Sequence, residues 1–186
     1  LSDYSSKAIC KRHSADFAAS TRASNTVTAL CLTQIVQSSS LSARERQVIY
    51  VKGVKLNMFL RNNTNKPQFV NWAVLQMKHF VGTPDSLDIG MDMFHGTTDF
   101  RAVNFTNVVS AWHKHTYDLN TDKYIVHAEG RFVLSADDST QVQSGAISSF
   151  KKLERWVPIN RKVFYEGAST GDSSNAIMFC FWTNPW

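Results

Sequence analysis

The sequence predicts an all-β protein, a sandwich of about eight strands with Greek-key or jelly-roll winding and long loops between strands. Three observations carry this. Six runs rich in Val, Ile, Phe, Tyr and Trp recur along the 186 residues, several long enough to be split by bends. Polar turn clusters and two or three long excursions separate them. No repeat, heptad or long amphipathic helical pattern competes with this reading.

The elements follow in order. Residues 1–24 are polar, small and Ser/Ala-rich, and read as an arm or short helix outside the core. Asn25 to Val36 reads as the first strand. Val48 to Leu60 is a long strand in which Val54, Leu56, Met58 and Leu60 share one face, and Lys55, Asn57, Phe59 and Arg61 the other. Gly53 marks a bulge or bend within it. Asn62 to Pro67 is a turn cluster, and Phe69 to His79, apolar on both faces, is a central strand. The compact turn predicts that these two long runs pair as an antiparallel hairpin. Val81 to Tyr117 is a long acidic excursion with a short helical turn within Asp92 to Phe100, of a length that is usually functional. Tyr124 to Ala136 alternates, with Tyr124, Val126, Ala128, Phe132 and Leu134 on one face. After a polar connection, Leu153 to Tyr165 forms a strand in which Pro158 implies an edge or a bend. Gly167 to Ser174 is a loop, and Ala176 to Thr183 is a last strand, apolar on both faces.

Hydrophobic residues make up 43% of the chain and aromatics 12%, enough for one domain with a real core. The net charge of +5 is unevenly spread. Leu1 to Lys78 and Lys151 to Lys162 are strongly basic, and Gly82 to Asp138 is acidic, which reads either as separate basic and acidic surfaces or as no more than solvated faces of strands and loops. Cys10, Cys31 and Cys180 are too few and too far apart for a disulfide framework or zinc site. Cys31 and Cys180 read as small buried hydrophobes, and a reducing compartment fits best. No apolar stretch approaches a membrane span, and no signal peptide is visible, so no membrane partner is expected.

No catalytic constellation is specific, and neither enzymatic activity nor a cofactor is expected. His113 and His115 would share a strand face as half of a metal site, with His127 and Glu129 as the only supplement, but polar or interface histidines are the commoner case. Asp118, Asp122, Asp137 and Asp138 read as turn formers. The sequons at Asn62 and Asn104 read as chance matches. Trp72 and Trp182 lie in apolar strands and read as core or inter-subunit packing. Trp112 and Trp156 sit among cations, where an indole stacks nucleobases or anchors an interface.

Taken together, "RERQVIYVKGVKLNMFLRN", "FVNWAVLQMK", the excursion "DMFHGTTDFRAVNFTN", "DKYIVHAEGRFVLS", "FKKLERWVPINRKVFYEG" and the terminal "NAIMFCFWTNPW" resemble the single jelly-roll capsid proteins of small circular single-stranded DNA viruses. The pattern is also similar to plant satellite virus coat proteins. The resemblance covers residues 25–186 and implies an eight-stranded jelly roll of two four-stranded sheets, with residues 1–24 as its arm. It implies self-assembly into the smallest icosahedral (T=1) shell, about 60 copies. That shell encloses a single-stranded genome, DNA rather than RNA, in a virion that binds a host receptor and assembles in the host nucleus. The family's arginine-rich arm is missing from residues 1–24, so it is expected either upstream of Leu1 or not at all. Non-specific phosphate contacts are expected from Lys7, Lys11, Arg12, Arg22, Arg44, Arg46, Lys52 and Lys55. Lys151, Lys152, Arg155, Arg161 and Lys162, with Trp112 and Trp156, form a second basic or interface set. Two other readings stand beside this one: a carbohydrate- or receptor-binding jelly roll using Trp112 and Trp156, and, more weakly, a cupin-type metal enzyme using His113, His115 and His127.

Overall fold

A computed structural model describes residues 11–15, 27–39, 43–78, 81–82, 93–95, 102–103, 118–136, 149–166 and 173–185. The described residues form strands and turns without a helix. In chain order the strands are β1 (Val27–Cys31), β2 (Val48–Arg61), β3 (Gln68–Met77), β4 (Val81–Gly82), β5 (Phe94–His95), β6 (Ala102–Val103), β7 (Tyr124–Leu134), β8 (Phe150–Tyr165), β9 (Ser173–Ser174) and β10 (Ile177–Pro185). One antiparallel sheet runs β1-β10-β3-β7 and the other β2-β8-β9-β4, with β5 and β6 as a separate pair.

The long-range pairings are nested. β1 pairs with β10, β2 with β8, and β3 with β7. Successive long strands β1, β2 and β3 therefore alternate between the sheets. The hairpin expected between Val48–Leu60 and Phe69–His79 does not form. Leu56, Val54 and Met58 of β2 instead pack toward Trp72 and Val74 of β3 in the core between the sheets. Asn62 sets this sharp exit from β2. Its buried side-chain amide donates to the Lys66 and Ser135 carbonyls at 2.8 Å each, while its oxygen accepts from the Thr64 amide (3.0 Å) and hydroxyl (2.8 Å). With both halves of that amide engaged, the residue has a structural use that its sequon conceals.

The two apolar faces of the central strands have separate destinations. Trp72, Val74, Ile177, Phe179 and Phe181 face the second sheet, where they meet Val157, Ile159, Val163 and Tyr165. Ala73, Leu75, Met178, Cys180 and Trp182 face the other way and are covered by Met93, Phe94, Leu119 and Tyr124. Phe94 meets the Trp182 indole edge-on, with centroids 5.6 Å apart. Part of the acidic excursion thus closes the outer face of the first sheet. The residues expected to form a helical turn there include Phe94 and His95, which instead pair with Val103 and Ala102.

Two bulges re-aim side chains. Between Val51 and Gly53, β8 gains a residue, and Asn160 takes a left-handed φ of 53°. Ile49 and Val51 before the bulge and Val54, Leu56 and Met58 after it thereby all face the core. This is the bend expected at Gly53 and Pro158, which sit opposite each other. Gly53 is needed for a close approach: a Cβ there would lie 2.7 Å from the Val157 carbonyl oxygen and clash with the edge of the Trp156 indole. On β7 the register slips at His127, so Tyr124 and Val126 join the outer cluster whereas Ala128 and Phe132 face the sandwich core. The single shared face expected for those residues is split by that one extra residue. Ser173 and Ser174, expected in a loop, form β9 against Tyr165 and Phe164.

Candidate functional site

Period-two alternation leaves the outward face of β2–β8 without a covering layer among the described residues, and its composition is unusual. Reading the ladder along it, Arg61 lies opposite Phe150, Phe59 opposite Lys152, Asn57 opposite Glu154, Lys55 opposite Trp156, and Tyr50 opposite Lys162. Four of these rows join an aromatic to a cation, and the ring changes strand from row to row. Directly opposed side chains touch, with Cβ atoms about 4.5–5.5 Å apart. The Arg61 guanidinium lies 5.2 Å from the centre of the Phe150 ring, and Phe59 packs on Phe150 at 5.4 Å. The rings are open to solvent: Tyr50 is 56% exposed, Phe59 68% and Trp156 58%.

Charge on this face is lopsided. Beside Lys52, Lys55, Arg61, Lys152 and Lys162, its one carboxylate among the described residues is Glu154, which Lys152 binds at 2.7 Å and Lys55 at 3.1 Å. Those two lysines, Lys152 foremost, hold the Glu154 carboxyl below the usual carboxylate range. Exposed pairs of this kind stabilise little, so the cluster stays net positive and available to an anion. Such a face can take a polyanion by charge and stack planar groups on its rings.

The cations expected to meet phosphate do not all lie here. Lys52 and Lys55 do. Lys152, Lys162 and Trp156 from the second set join them, so the two basic runs meet across one ladder. Lys151, Arg155 and Arg161 are exposed but belong to the opposite strand parity, and Arg155 stacks over the Trp72 ring at 5.4 Å. Lys11 is tied to Glu45 at 2.6 Å, which holds that carboxyl down by hydrogen bond and charge, and its Nζ also donates to the Ala43 carbonyl at 3.4 Å. Arg12 and Arg46 are exposed. Lys7, Arg22, Trp112, His113 and His115 lie outside the described residues. His127 is half-buried, with Nε2 3.1 Å from the Gln76 side-chain oxygen, and Glu129 beside it is exposed.

Arg44, expected at a phosphate, lies in the interior instead. It is 3% exposed, and its guanidinium sits 4.1 Å from the centre of the Tyr165 ring. Its Nε donates to the Ile35 carbonyl at 2.8 Å, and its Nη1 to the Arg46 carbonyl at 3.1 Å and the Gln37 side chain at 3.2 Å. Tyr165 in turn donates to the Thr33 carbonyl at 2.8 Å, and burial pushes its phenol up against the pull of the Arg44 charge. Arg44 therefore fastens the β1–β2 connection onto β8 and has no reach to a phosphate. Replacing it with Ala orphans the buried Ile35 carbonyl and uncovers the Tyr165 ring face, and should lower unfolding stability by about 2 kcal/mol in a urea titration. The cationic outward face of β2–β8 should be unaffected by that change.

The aromatics Tyr50, Phe59, Phe150 and Phe164 and the cation Arg61 are the functional candidates that composition alone passes over. The signal was present in the even-numbered parity of residues 150–164, which puts Phe150, Lys152, Trp156, Lys162 and Phe164 on one face. No protein-family model matches the chain, and no curated protein matches it in sequence.

Proposed function

We propose that this chain is a single jelly-roll coat protein that assembles with copies of itself into a small icosahedral shell around a single-stranded nucleic acid, DNA by the resemblance of its element order. The observation that carries the reading is the nested pairing of β1 with β10, β2 with β8 and β3 with β7. A jelly roll, wound as a long hairpin rolled up on itself, would generate such a set of partners over two facing sheets, and the pairing supports that reading. A fourth nested pair would complete eight strands, and β4 already extends the second sheet toward it.

The outward β2–β8 face supports the nucleic-acid part of the reading. Its cations outnumber its one acid, and phosphate neutralisation needs no sequence readout. Lys52, Lys55, Lys152 and Lys162 are its principal contacts, with Arg61, Arg46 and Arg12 nearby in character, and the shell itself is not an enzyme. The carbohydrate-binding reading also uses Trp156, but four lysines beside the rings favour a polyanion over a neutral sugar. The direct test is negative-stain microscopy of the expressed full-length chain, with absorbance at 260 nm of the purified product. Closed particles of uniform size carrying nucleic acid are expected.

A further inference from the structure

A groove of about 580 Å³ opens where the outward face of β8 meets the end of the first sheet, lined by Tyr50, Gln76, Arg161, Lys162, Phe164 and Asn175 among others. Its origin is local. On β8, β9 reaches only Phe164 and Tyr165, so the preceding stretch of β8 has a ladder on the β2 side alone among the described residues. Asn160 and Asn175, with φ of 53° and 56°, turn the backbone on either flank. The floor is fixed: the Gln76 amide nitrogen donates to the Asn175 carbonyl at 3.2 Å, and its oxygen meets His127 at 3.1 Å.

The wall chemistry is specific. Tyr50 stands opposite Lys162, and Phe164 is one row along on the same face. Tyr50 and Phe164 are thus diagonal neighbours, about 7–8 Å apart, which leaves space for one planar ring between theirs. Arg161 and Lys162 are exposed and make no ion pair among the described residues. His127, which reaches the groove only through Gln76, is held below the usual histidine range by burial and then by the Arg161 charge.

We propose that this groove holds one nucleotide of a single strand, its base between Tyr50 and Phe164 and its phosphate against Lys162 and Arg161. This rests on, and deepens, the nucleic-acid part of the proposed function. A base enters between two rings only when it is free of its partner and neighbours, so the groove selects single strands over duplex. A protein occupant fits worse, because lysine is depleted from the cores of protein interfaces.

The test is fluorescence anisotropy of a labelled oligothymidylate titrated with the full chain freed of co-purified nucleic acid, with a duplex of equal length and inorganic phosphate as competitors. Tyr50→Ala should weaken binding about tenfold, within the range measured for lost base stacking, and Tyr50→Phe should restore it. Lys162→Gln should reduce the slope of log affinity against log salt by about 0.7, the loss of one phosphate contact on a single strand. Unchanged affinity in Tyr50→Ala overturns the proposal, as does equal competition by duplex or by inorganic phosphate. Particle formation by the unaltered chain is scored separately: its absence contradicts the shell reading and leaves this result standing.

Discussion

Replacing Lys52, Lys55, Lys152 and Lys162 together with glutamine is expected to leave a folded chain that no longer retains nucleic acid. All four lysines project from the solvent face of β2–β8, so the core loses nothing. Four phosphate contacts on a single strand correspond to a salt slope smaller by about 2.8, which at 0.1 M salt amounts to roughly 600-fold in affinity relative to 1 M. Glu154, now without its two partners, would add repulsion. Glu154→Gln in the otherwise native chain should move affinity the opposite way. Binding isotherms at several salt concentrations read both effects. A variant with the native slope would remove this face from the function and turn attention to the arm.

The second large effect is on stability. Phe179 is 1% exposed and sits in the middle of the inter-sheet core, 6.5 Å from the Trp72 ring and 6.1 Å from Phe181. It belongs to β10, which pairs with both β1 and β3 and so holds the first sheet together. Phe179→Ala removes the ring from between two sheets whose backbones cannot close the gap, and should cost about 4 kcal/mol. For a chain of this length that lowers the melting temperature by about 8–16 °C. Calorimetry or thermal circular dichroism measures it. Phe59→Ala, which removes a ring 68% exposed on the outward face, should change the melting temperature little.

The sequence made some of this legible for clear reasons. Alternation is a local property, so the inward set Val54, Leu56 and Met58 and the outward Lys55, Phe59 and Arg61 followed directly from β2. Gly53 and Pro158 marked their own bend because neither suits an undisturbed ladder. Runs apolar on both faces identified β3 and β10 as central strands, although nothing local revealed that Met93, Phe94 and Leu119 supply the second cover. Partner choice was not legible. β2 and β3 adjoin across a short turn yet belong to different sheets, because the interaction that separates them is Asn62 reaching Ser135 at the end of β7. The burial of Arg44 was hidden for the same reason: its aromatic cover is Tyr165, remote in sequence. On β7 a single extra residue at His127 inverted the parity on which face assignment depends. The candidate site was half legible, since both basic runs were visible but only the β2–β8 register interleaves their lysines with Tyr50, Phe59, Trp156 and Phe150.

Assembly around a single strand is measured most directly by particle mass. Light scattering behind size exclusion, run on the full-length chain across a range of salt and pH and checked by negative-stain microscopy, should find a closed, uniform particle of many copies with raised absorbance at 260 nm. A small species of one or a few copies under every condition, free of nucleic acid, would contradict it.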